Sequence, residues 1–462
     1  MLQIYNTLTR SKEQFVPLES GKVRMYVCGL TTYDYCHIGH ARMFVAFDVV
    51  VRYLRFRGYQ VTYVRNITDI DDKILRRANE NHELFSSLTQ RFIDATCEDE
   101  EALFVVRPDM EPRATAYIEQ IIALIQRLIA TDYAYKVASG DVYYSVSQFS
   151  SYGKLSNKNP EELLAGARIE IGELKRDPRD FALWKAASDG EVGWDSPWGY
   201  GRPGWHIECS AMSTCCLGDS FDIHGGGSDL MFPHHENEIA QSEAASGKQF
   251  ASTWMHNGPV RVDNEKMSKS LGNFFTVRDV LRKFNAEVIR YLLIASHYRS
   301  PINYSDQSLR KASVALERFY NTLRGLQTQS ARDLVNSRFE KAFCAAMDDD
   351  FNTPVALGVL FDLAREINRQ KDENPELANQ LARLLIRLGK VLGTLQSTPD
   401  VYLHSQGEEQ VNANAIDTLL LQRREAKASR NWALADEIRN KLATMKVVVE
   451  DTADGSSWRI ER

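Results

Sequence analysis

Residues 22–29 (Lys-Val-Arg-Met-Tyr-Val-Cys-Gly) form a mostly apolar run closed by glycine, the pattern of a buried strand. From about His37 to Arg57 the period changes. Phe44, Phe47, Val51 and Leu54 recur three to four residues apart along one helix face, and Gly58 ends the helix. Residues 61–67 (Val-Thr-Tyr-Val-Arg-Asn-Ile) return to a strand pattern. Strand, helix and strand in so short a stretch predict a parallel crossover and an α/β domain. Residues from about 84 to 130 read as helices. The stretch from about 133 to 200 mixes turn residues with a tyrosine-rich strand, Asp141 to Val146, and reads as an insertion into the sheet domain. Glycine-rich loops and short strands return over 202–262. From 276 to about 395 helical faces dominate, with Leu281, Phe284, Val288, Tyr291 and Leu292 on one of them. Residues 398–414, rich in Pro, Ser, Gly, Gln and Asn, read as a linker. The last stretch, 415–462, reads as two helices and a strand through Val447, Val448 and Val449.

Length and composition narrow the class. A chain of 462 residues with 44% apolar and 26% charged residues is that of an ordinary globular protein of about three domains. A net charge of −6 excludes a polybasic nucleic-acid coat. The seven cysteines, at 28, 36, 97, 209, 215, 216 and 344, are odd in number and scattered. That argues against a disulfide framework and for the reducing cytoplasm, where cysteine serves metal, chemistry or core. No apolar run approaches the ~18 residues of a membrane span, and the first residues lack the layout of a signal peptide.

Two motifs point to nucleotide chemistry. His37-Ile38-Gly39-His40 stands where the first strand hands over to its helix, and a helix N-terminus attracts phosphate. Gly39 allows a ligand close to the backbone. The two histidines, three apart, share a face and can donate to phosphoryl oxygens. Lys266-Met267-Ser268-Lys269-Ser270 follows the turn residues Asp263 and Asn264 and reads as a mobile loop. Its lysines can close over a polyphosphate and neutralise charge in the transition state. Taken singly, the first could be two solvated histidines and the second a solvated surface. Together they resemble the two signatures of class I aminoacyl-tRNA synthetases. The resemblance implies an α/β, Rossmann-like parallel-sheet catalytic domain that adenylates an amino acid with ATP and transfers it to the terminal adenosine of a tRNA.

A third constellation suggests a metal. His234-His235-Glu236-Asn237-Glu238 follows Pro233, a favoured first helical residue. His234 and Glu238, four apart, share a helix face, and imidazole and carboxylate both bind zinc. The chain has no Cys-x-x-Cys, so thiolates must come from distant positions. Cys28, ending the first strand, and Cys209, in Trp205-His206-Ile207-Glu208-Cys209, are candidates; each has an alternative reading as inert core. The adjacent Cys215 and Cys216 suit joint ligation poorly and read as structural. A zinc hydrolase would need His-Glu-x-x-His or His-x-x-Glu-His. Ile239 follows Glu238, so both patterns fail.

Four segments sharpen the resemblance: Met25 to Gly29, Asn66 to Lys73 (Asn-Ile-Thr-Asp-Ile-Asp-Asp-Lys), Gly204 to Ser210, and Asp222 to Asp229. Within the class I group the chain resembles the cysteinyl-tRNA synthetase family over essentially its full length. That resemblance implies one Zn2+ per chain on Cys28, Cys209, His234 and Glu238, with ATP–Mg2+, L-cysteine and tRNA(Cys) as substrates. His37, His40, Lys266 and Lys269 would be catalytic, and Gly39, Gly226, Gly227, Asp229 and Lys269 would hold ATP. Zinc suits the task, because cysteine and serine differ by one atom and shape alone separates them poorly. A soft thiolate binds zinc where a hydroxyl does not. Whether the substrate displaces Glu238 or adds to it stays open.

Thr68, Trp205 and His224 are candidates for the amino-acid pocket, while Trp205 and His224 read equally well as packing residues. Asp69, Asp71 and Asp72 read as a solvated face. Basic clusters at Arg55, Arg57, Arg76 and Arg77, and at Arg423, Arg424, Lys427 and Arg430, offer phosphate contacts. Trp432 and Asp436 offer stacking and hydrogen bonds to unpaired bases. The expected domains are 1–300, catalytic, with an insertion at about 105–200; 301–398, an α-helical bundle on the tRNA side; 399–414, a linker; and 415–462, a small C-terminal α+β domain for the anticodon. The expected state is a monomer without membrane contact. Rival readings are a ligase that acylates an amino-sugar, disfavoured by the long helical region, and a tRNA-binding protein without catalysis, disfavoured by the phosphate motifs.

Overall fold

The computed structural model describes residues 1–157, 174–188, 190–263, 265–266, 274–404, 413–429, 431–444, 447–452 and 455–460. Seven elements build the central layer. They are β1 (Lys22–Thr31), α1 (Ile38–Phe56), β2 (Gln60–Thr68), α2 (Trp205–Leu217), β3 (Phe221–Gly227), α3 (Glu236–Ser246) and β4 (Ala251–Asn257). The four strands are parallel in the order β4-β3-β1-β2. The chain runs outward from β1 to β2 and then returns to β3 on the other side of β1. Strand order therefore reverses between β1 and β3, and such a reversal opens a crevice at the strands' carboxyl ends. In register, Tyr26 faces His224 and Val27 faces Gly225, so the ends of β1 and β3 meet there.

The expected β1–α1–β2 crossover is present, because the change of apolar period is sharp. The core is built on β1, with Val23, Met25, Tyr26 and Val27, and on α1, with Phe44, Phe47, Val51 and Leu54, all buried. Between β2 and α2 in chain order lies a second, wholly antiparallel sheet, Ala134–Lys136, Val142–Tyr144, Phe181–Ala186 and Gly201–Pro203. It packs Tyr144, Leu183 and Trp184 on Ile121, Ile125 and Leu128 of the helix Ile118–Ala130.

Residues Met1–Arg278, Leu293–Ser305 and Ala342–Leu357 make one compact unit; Asp279–Leu292, Asp306–Lys341 and Gly358–Arg462 make another. Inside the second, Tyr320 stacks on Tyr402 with centroids 4.0 Å apart and donates to buried Glu287 at 2.7 Å. Its C-terminal part packs helices Ala413–Ala428 and Trp432–Thr444 around Ile416, Leu420, Ile438 and Leu442.

Several elements depart from the pattern reading. The face from Leu281 to Leu292 belongs to two helices, Val277–Leu281 and Ala286–Ile294, because the Asn285 side chain accepts from Glu287 N at 2.8 Å and starts a new helix. Ile302–Tyr304, in the helical stretch, is a strand parallel to Val260–Val262. Three residues are too few to show a period. The chain ends in a hairpin, Val447–Thr452 with Gly455–Ile460, where one strand is expected. Residues Asp72–Glu80 form an unforeseen helix capped by Asp71, which accepts from Lys73 N at 2.8 Å.

Candidate metal and nucleotide site

Cys28 lies near the end of β1, where the ladder with β2 slips: Val27 pairs with Arg65, but the next pair is Leu30 with Ile67. α2 brings Cys209, and the turn Met231–His235, leading into α3, brings His234 and Glu238. The four side chains are buried, and their donor atoms all lie within 4.8 Å of one another. Cys28 Sγ is 3.9 Å from Cys209 Sγ and 3.4 Å from Glu238 Oε1, and His234 Nε2 is 3.1 Å from that same oxygen. Tetrahedral zinc with bonds of about 2.0 to 2.3 Å places its donors roughly 3.3 to 3.8 Å apart. The set fits the ion in donor type, number and spacing. A second grouping, Cys28, His224, His235 and Glu238, meets the same 4.8 Å limit but offers one sulfur instead of two.

The imidazole and the carboxylate are in their ligating forms, while the thiol is not yet. Burial pulls His234 down to about 3, so its ring is the neutral, metal-binding form. Burial pushes the Glu238 carboxyl up, but His224 and His234 outweigh it and hold the group below its ordinary value. Burial and the neighbouring Cys209 and Glu238 push the Cys28 thiol up.

A shell of partners surrounds the four. His206 Nδ1 meets His234 Nδ1 at 2.9 Å, which leaves His234 Nε2 toward Glu238. Trp205, half-exposed at the start of α2, stacks on His234 with centroids 4.3 Å apart. His224 is fully buried, and its Nε2 is 2.9 Å from Glu238 Oε2. It stands behind Glu238 of the candidate set. His235 Nδ1 meets His256 Nε2 at 2.8 Å, and His256 Nδ1 meets Thr7 Oγ1 at 2.9 Å. Thr68, buried at the end of β2, takes a hydrogen bond from Asn66. His206, His235, His256 and Asn66 are absent from the residues singled out by sequence. The available signal was a concentration of histidines around the metal motif.

The phosphate end of the crevice starts at α1. His37 is its N-cap: His37 Nδ1 accepts from Gly39 N at 3.1 Å and His40 N at 3.3 Å, and His40 Nδ1 accepts from His37 N at 3.4 Å. With both Nδ1 atoms accepting, the neutral rings carry their protons on Nε2. The rings stack, centroids 3.4 Å apart, and the helix's first turn holds no acidic residue to cancel its positive end. Gly226, next to last in β3, lies so close to His235 that a Cβ there would be 2.8 Å from its ring. At Gly227 it would lie 2.4 Å from exposed Asp229.

The residues on either side of 267–273 have backbone partners. Lys266 ends a short strand, its backbone partnered with Arg261. Downstream, Ile38 N donates to Phe275 O at 3.2 Å and Val277 N to Cys36 O at 2.8 Å, so residues 275–277 lie against the start of α1. Lys269 and the Lys266 side chain lie outside the described residues.

Among the described residues the Asp69–Asp72 run gathers no ion site. Asp69 is buried and accepts from Thr115 Oγ1 at 2.6 Å, Asp71 caps a helix, and Asp72 pairs with Lys185 and Arg202. Arg55 and Arg57 pair with Asp109 and Asp348. In the second unit Arg424, Trp432 and Asp436 are exposed, Arg423 is buried, and Arg430 lies outside the described residues. No helix among the described residues is long and apolar enough to cross a membrane.

Comparisons with known proteins identify a family. The family model "tRNA synthetases class I (C) catalytic domain" matches residues 14–314, the "DALR domain" 342–396, and the "Cysteinyl-tRNA ligase anticodon binding domain" 413–459. A cysteine–tRNA ligase of Azotobacter vinelandii is 60% identical over 459 residues, 99% of each chain. One of Pseudomonas putida is 60% identical over 460 residues, the full length of both. Among solved structures, Mycobacterium tuberculosis methionyl-tRNA synthetase in complex with methionyl-adenylate covers 81% of this chain and 94% of its own, with TM-score 0.59 at 15% identity. The Agrobacterium radiobacter LeuRS–tRNA–LeuAMS ternary complex matches with TM-score 0.59 at 12% identity, covering 84% and 87%. At such identities these two speak for the fold.

Proposed function

The chain belongs to the cysteine–tRNA ligase family, and on that premise we propose how its residues join L-cysteine to tRNA(Cys) with ATP. Cysteine's carboxylate attacks the α-phosphorus, pyrophosphate leaves, and a ribose hydroxyl of the tRNA's terminal adenosine then attacks the acyl-adenylate, releasing AMP. The Nε2–H groups of His37 and His40 donate to phosphoryl oxygens as charge builds, assisted by the positive end of α1. Gly39, Gly226 and Gly227 let the nucleotide approach the backbone, and Asp229 accepts from its ribose. Lys266 and Lys269 hold the leaving pyrophosphate. Cys28, Cys209, His234 and Glu238 hold one zinc, which when bound supplies a soft centre that prefers a thiolate to a neutral hydroxyl. Trp205 walls the pocket over His234, and Thr68 faces the substrate. Most of the catalysis is positioning and electrostatics. Magnesium arrives with ATP. Arg424, Arg430, Trp432 and Asp436 contact the RNA; Arg423, buried, contributes from within the fold. The enzyme works as a cytoplasmic monomer, its seven cysteines outside any disulfide, in keeping with that compartment.

The observation that carries this reading is the closure of two sulfurs, one imidazole and one carboxylate, from three regions of the chain, to within 4.8 Å at the sheet's switch point. ATP–pyrophosphate exchange with cysteine, and none with serine, by protein holding one equivalent of zinc is the expected result. Zinc-free protein that charges tRNA(Cys) with undiminished selectivity over serine overturns it.

A further inference from the structure

The slip in the β1–β2 ladder sits beside a metal ligand and is clipped by one side chain. Between Val27↔Arg65 and Leu30↔Ile67, β1 has two residues, Cys28 and Gly29, where β2 has one, Asn66. That is a β-bulge, a device that bends a strand and re-aims its side chains. The backbone approach there leaves no room for a side chain: a Cβ on Gly29 would lie 1.8 Å from Asn66 O. The Asn66 side chain is buried and bonded at both ends. Gly29 N donates to Oδ1 at 2.8 Å, and Nδ2 donates to Thr68 Oγ1 at 3.2 Å. The amide has one possible orientation, since a backbone N–H can only donate and Oδ1 must face it. Thr68 Oγ1 therefore accepts from Asn66, and its own hydroxyl bonds the buried Glu208 carboxyl. Thr32 Oγ1 donates to Thr68 O at 3.1 Å, fixing the same residue from the backbone side.

We propose that Asn66 is a positioning residue for cysteine recognition, its amide holding the Cys28–Gly29 bulge at one end and fixing the place of the Thr68 side chain at the other. This rests on the reading of Cys28 as a zinc ligand and Thr68 as a pocket residue. A residue merely stabilising the sheet would affect the cysteine and ATP sites alike. Asn66 acts on the cysteine side, because its two partners are the neighbour of Cys28 and the Thr68 side chain.

Two variants separate the ends. Asn66→Asp keeps the acceptor for Gly29 N–H and removes the donor to Thr68. Asn66→Ala removes both. The unmodified zinc-loaded chain is measured first; absence of cysteine-dependent ATP–pyrophosphate exchange there defeats the family mechanism and not this proposal. Asn66→Asp is expected to raise the KM for cysteine about tenfold, the effect of one buried hydrogen bond. Its KM for ATP stays within twofold, and zinc release to a chromogenic chelator proceeds at the unmodified rate. Asn66→Ala adds faster zinc release. In the Thr68→Val background Asn66→Asp has no further effect on the cysteine KM, as expected of residues acting through one another. The proposal is overturned by an unchanged cysteine KM in Asn66→Asp, by equal rises for cysteine and ATP, or by additive effects with Thr68→Val. An Asn66→Ala protein that folds and releases zinc at the unmodified rate overturns the bulge half; should that variant fail to fold, Asn66→Asp alone decides.

Discussion

His224→Phe tests whether the zinc site depends on residues that never touch the metal. His224 is fully buried, stacked on Trp254 with centroids 4.4 Å apart and planes 14° from parallel. Its Nε2 lies 2.9 Å from Glu238 Oε2, while Glu238 Oε1 faces Cys28 and His234. One carboxylate thus turns one oxygen to the proposed zinc ligands and one to the imidazole behind it. Phenylalanine keeps an aromatic ring against Trp254 and deletes only the polar edge. A hydrogen bond to a charged group contributes about 1.5 to 3 kcal/mol. With every 1.4 kcal/mol worth tenfold, that is roughly 10- to 150-fold in an equilibrium constant. Loss of an outer-shell partner costs roughly 10- to 100-fold in metal affinity by a separate route. The two agree, so His224→Phe should weaken zinc binding about 10- to 100-fold. Competition against a chromogenic chelator measures it, with the KM for ATP as the check that the nucleotide end is intact. A zinc affinity within twofold of the unmodified protein refutes the reasoning.

Lys269→Ala should lower cysteine-dependent ATP–pyrophosphate exchange by about 10²- to 10³-fold, as expected for losing a charge that steadies the transition state; an unchanged rate removes Lys269 from the mechanism. Asp99, beside Arg278 at 3.1 Å, gives a pH signature: burial pushes its carboxyl up to about 6 despite that guanidinium. The folded form then holds a proton that the unfolded chain releases near 3.8, so this group's stabilisation is full below about 3.8 and is lost as pH rises through about 6. Asp99→Asn should flatten that slope in urea unfolding between pH 4 and 7, and an identical slope in both proteins defeats the assignment. Trp432, 61% exposed, should stack on an unpaired base, so Trp432→Ala should raise the KM for tRNA in aminoacylation by roughly tenfold, at the low end of base–aromatic stacking. Charging with an unaltered KM takes Trp432 off the RNA surface.

What sequence reveals here depends on whether a feature is periodic or spatial. β1, α1 and β2 were legible because the apolar period changes sharply at His37 and Gly58. His234 and Glu238 were legible as a pair, since four residues is one helical turn. Cys28 and Cys209 lie 181 residues apart and meet only because the chain returns to pack against β1; no spacing rule joins them, and the family resemblance supplied the link. The supporting histidines were not legible singly, since a buried hydrogen bond leaves no period. Arg423 shows the opposite failure. It was read as an exposed cation, yet it lies three residues after Leu420 and seven after Ile416, on the helix face that carries both into the core. The pattern was present, and charge drew attention from it.

The two ends of the pocket belong to one short segment of chain. Cys28 lies near the end of β1, and His37 caps the helix that β1 feeds, so the groups proposed to read sulfur and phosphate are nine residues apart on a single strand–helix junction. The chemistry explains why that junction must be tight. In cysteine the sulfur is three bonds from the carboxyl carbon, a reach of about 4 Å at ordinary bond lengths. Once the thiol is held, the carboxylate has little freedom, and its distance to the α-phosphate is set by how firmly the protein fixes Cys28 relative to the start of α1. An error of about 1 Å in such an alignment can cost about 100-fold in rate. The structure meets this demand with fixed contacts: Gly29 N bound to Asn66, Thr32 N bound to Thr68 O at 3.1 Å, and Val277 N bound to Cys36 O. A larger amino acid could bridge a looser site with its own length. For cysteine, on the proposed reading, selectivity at one end and reactivity at the other depend on the same few residues of backbone.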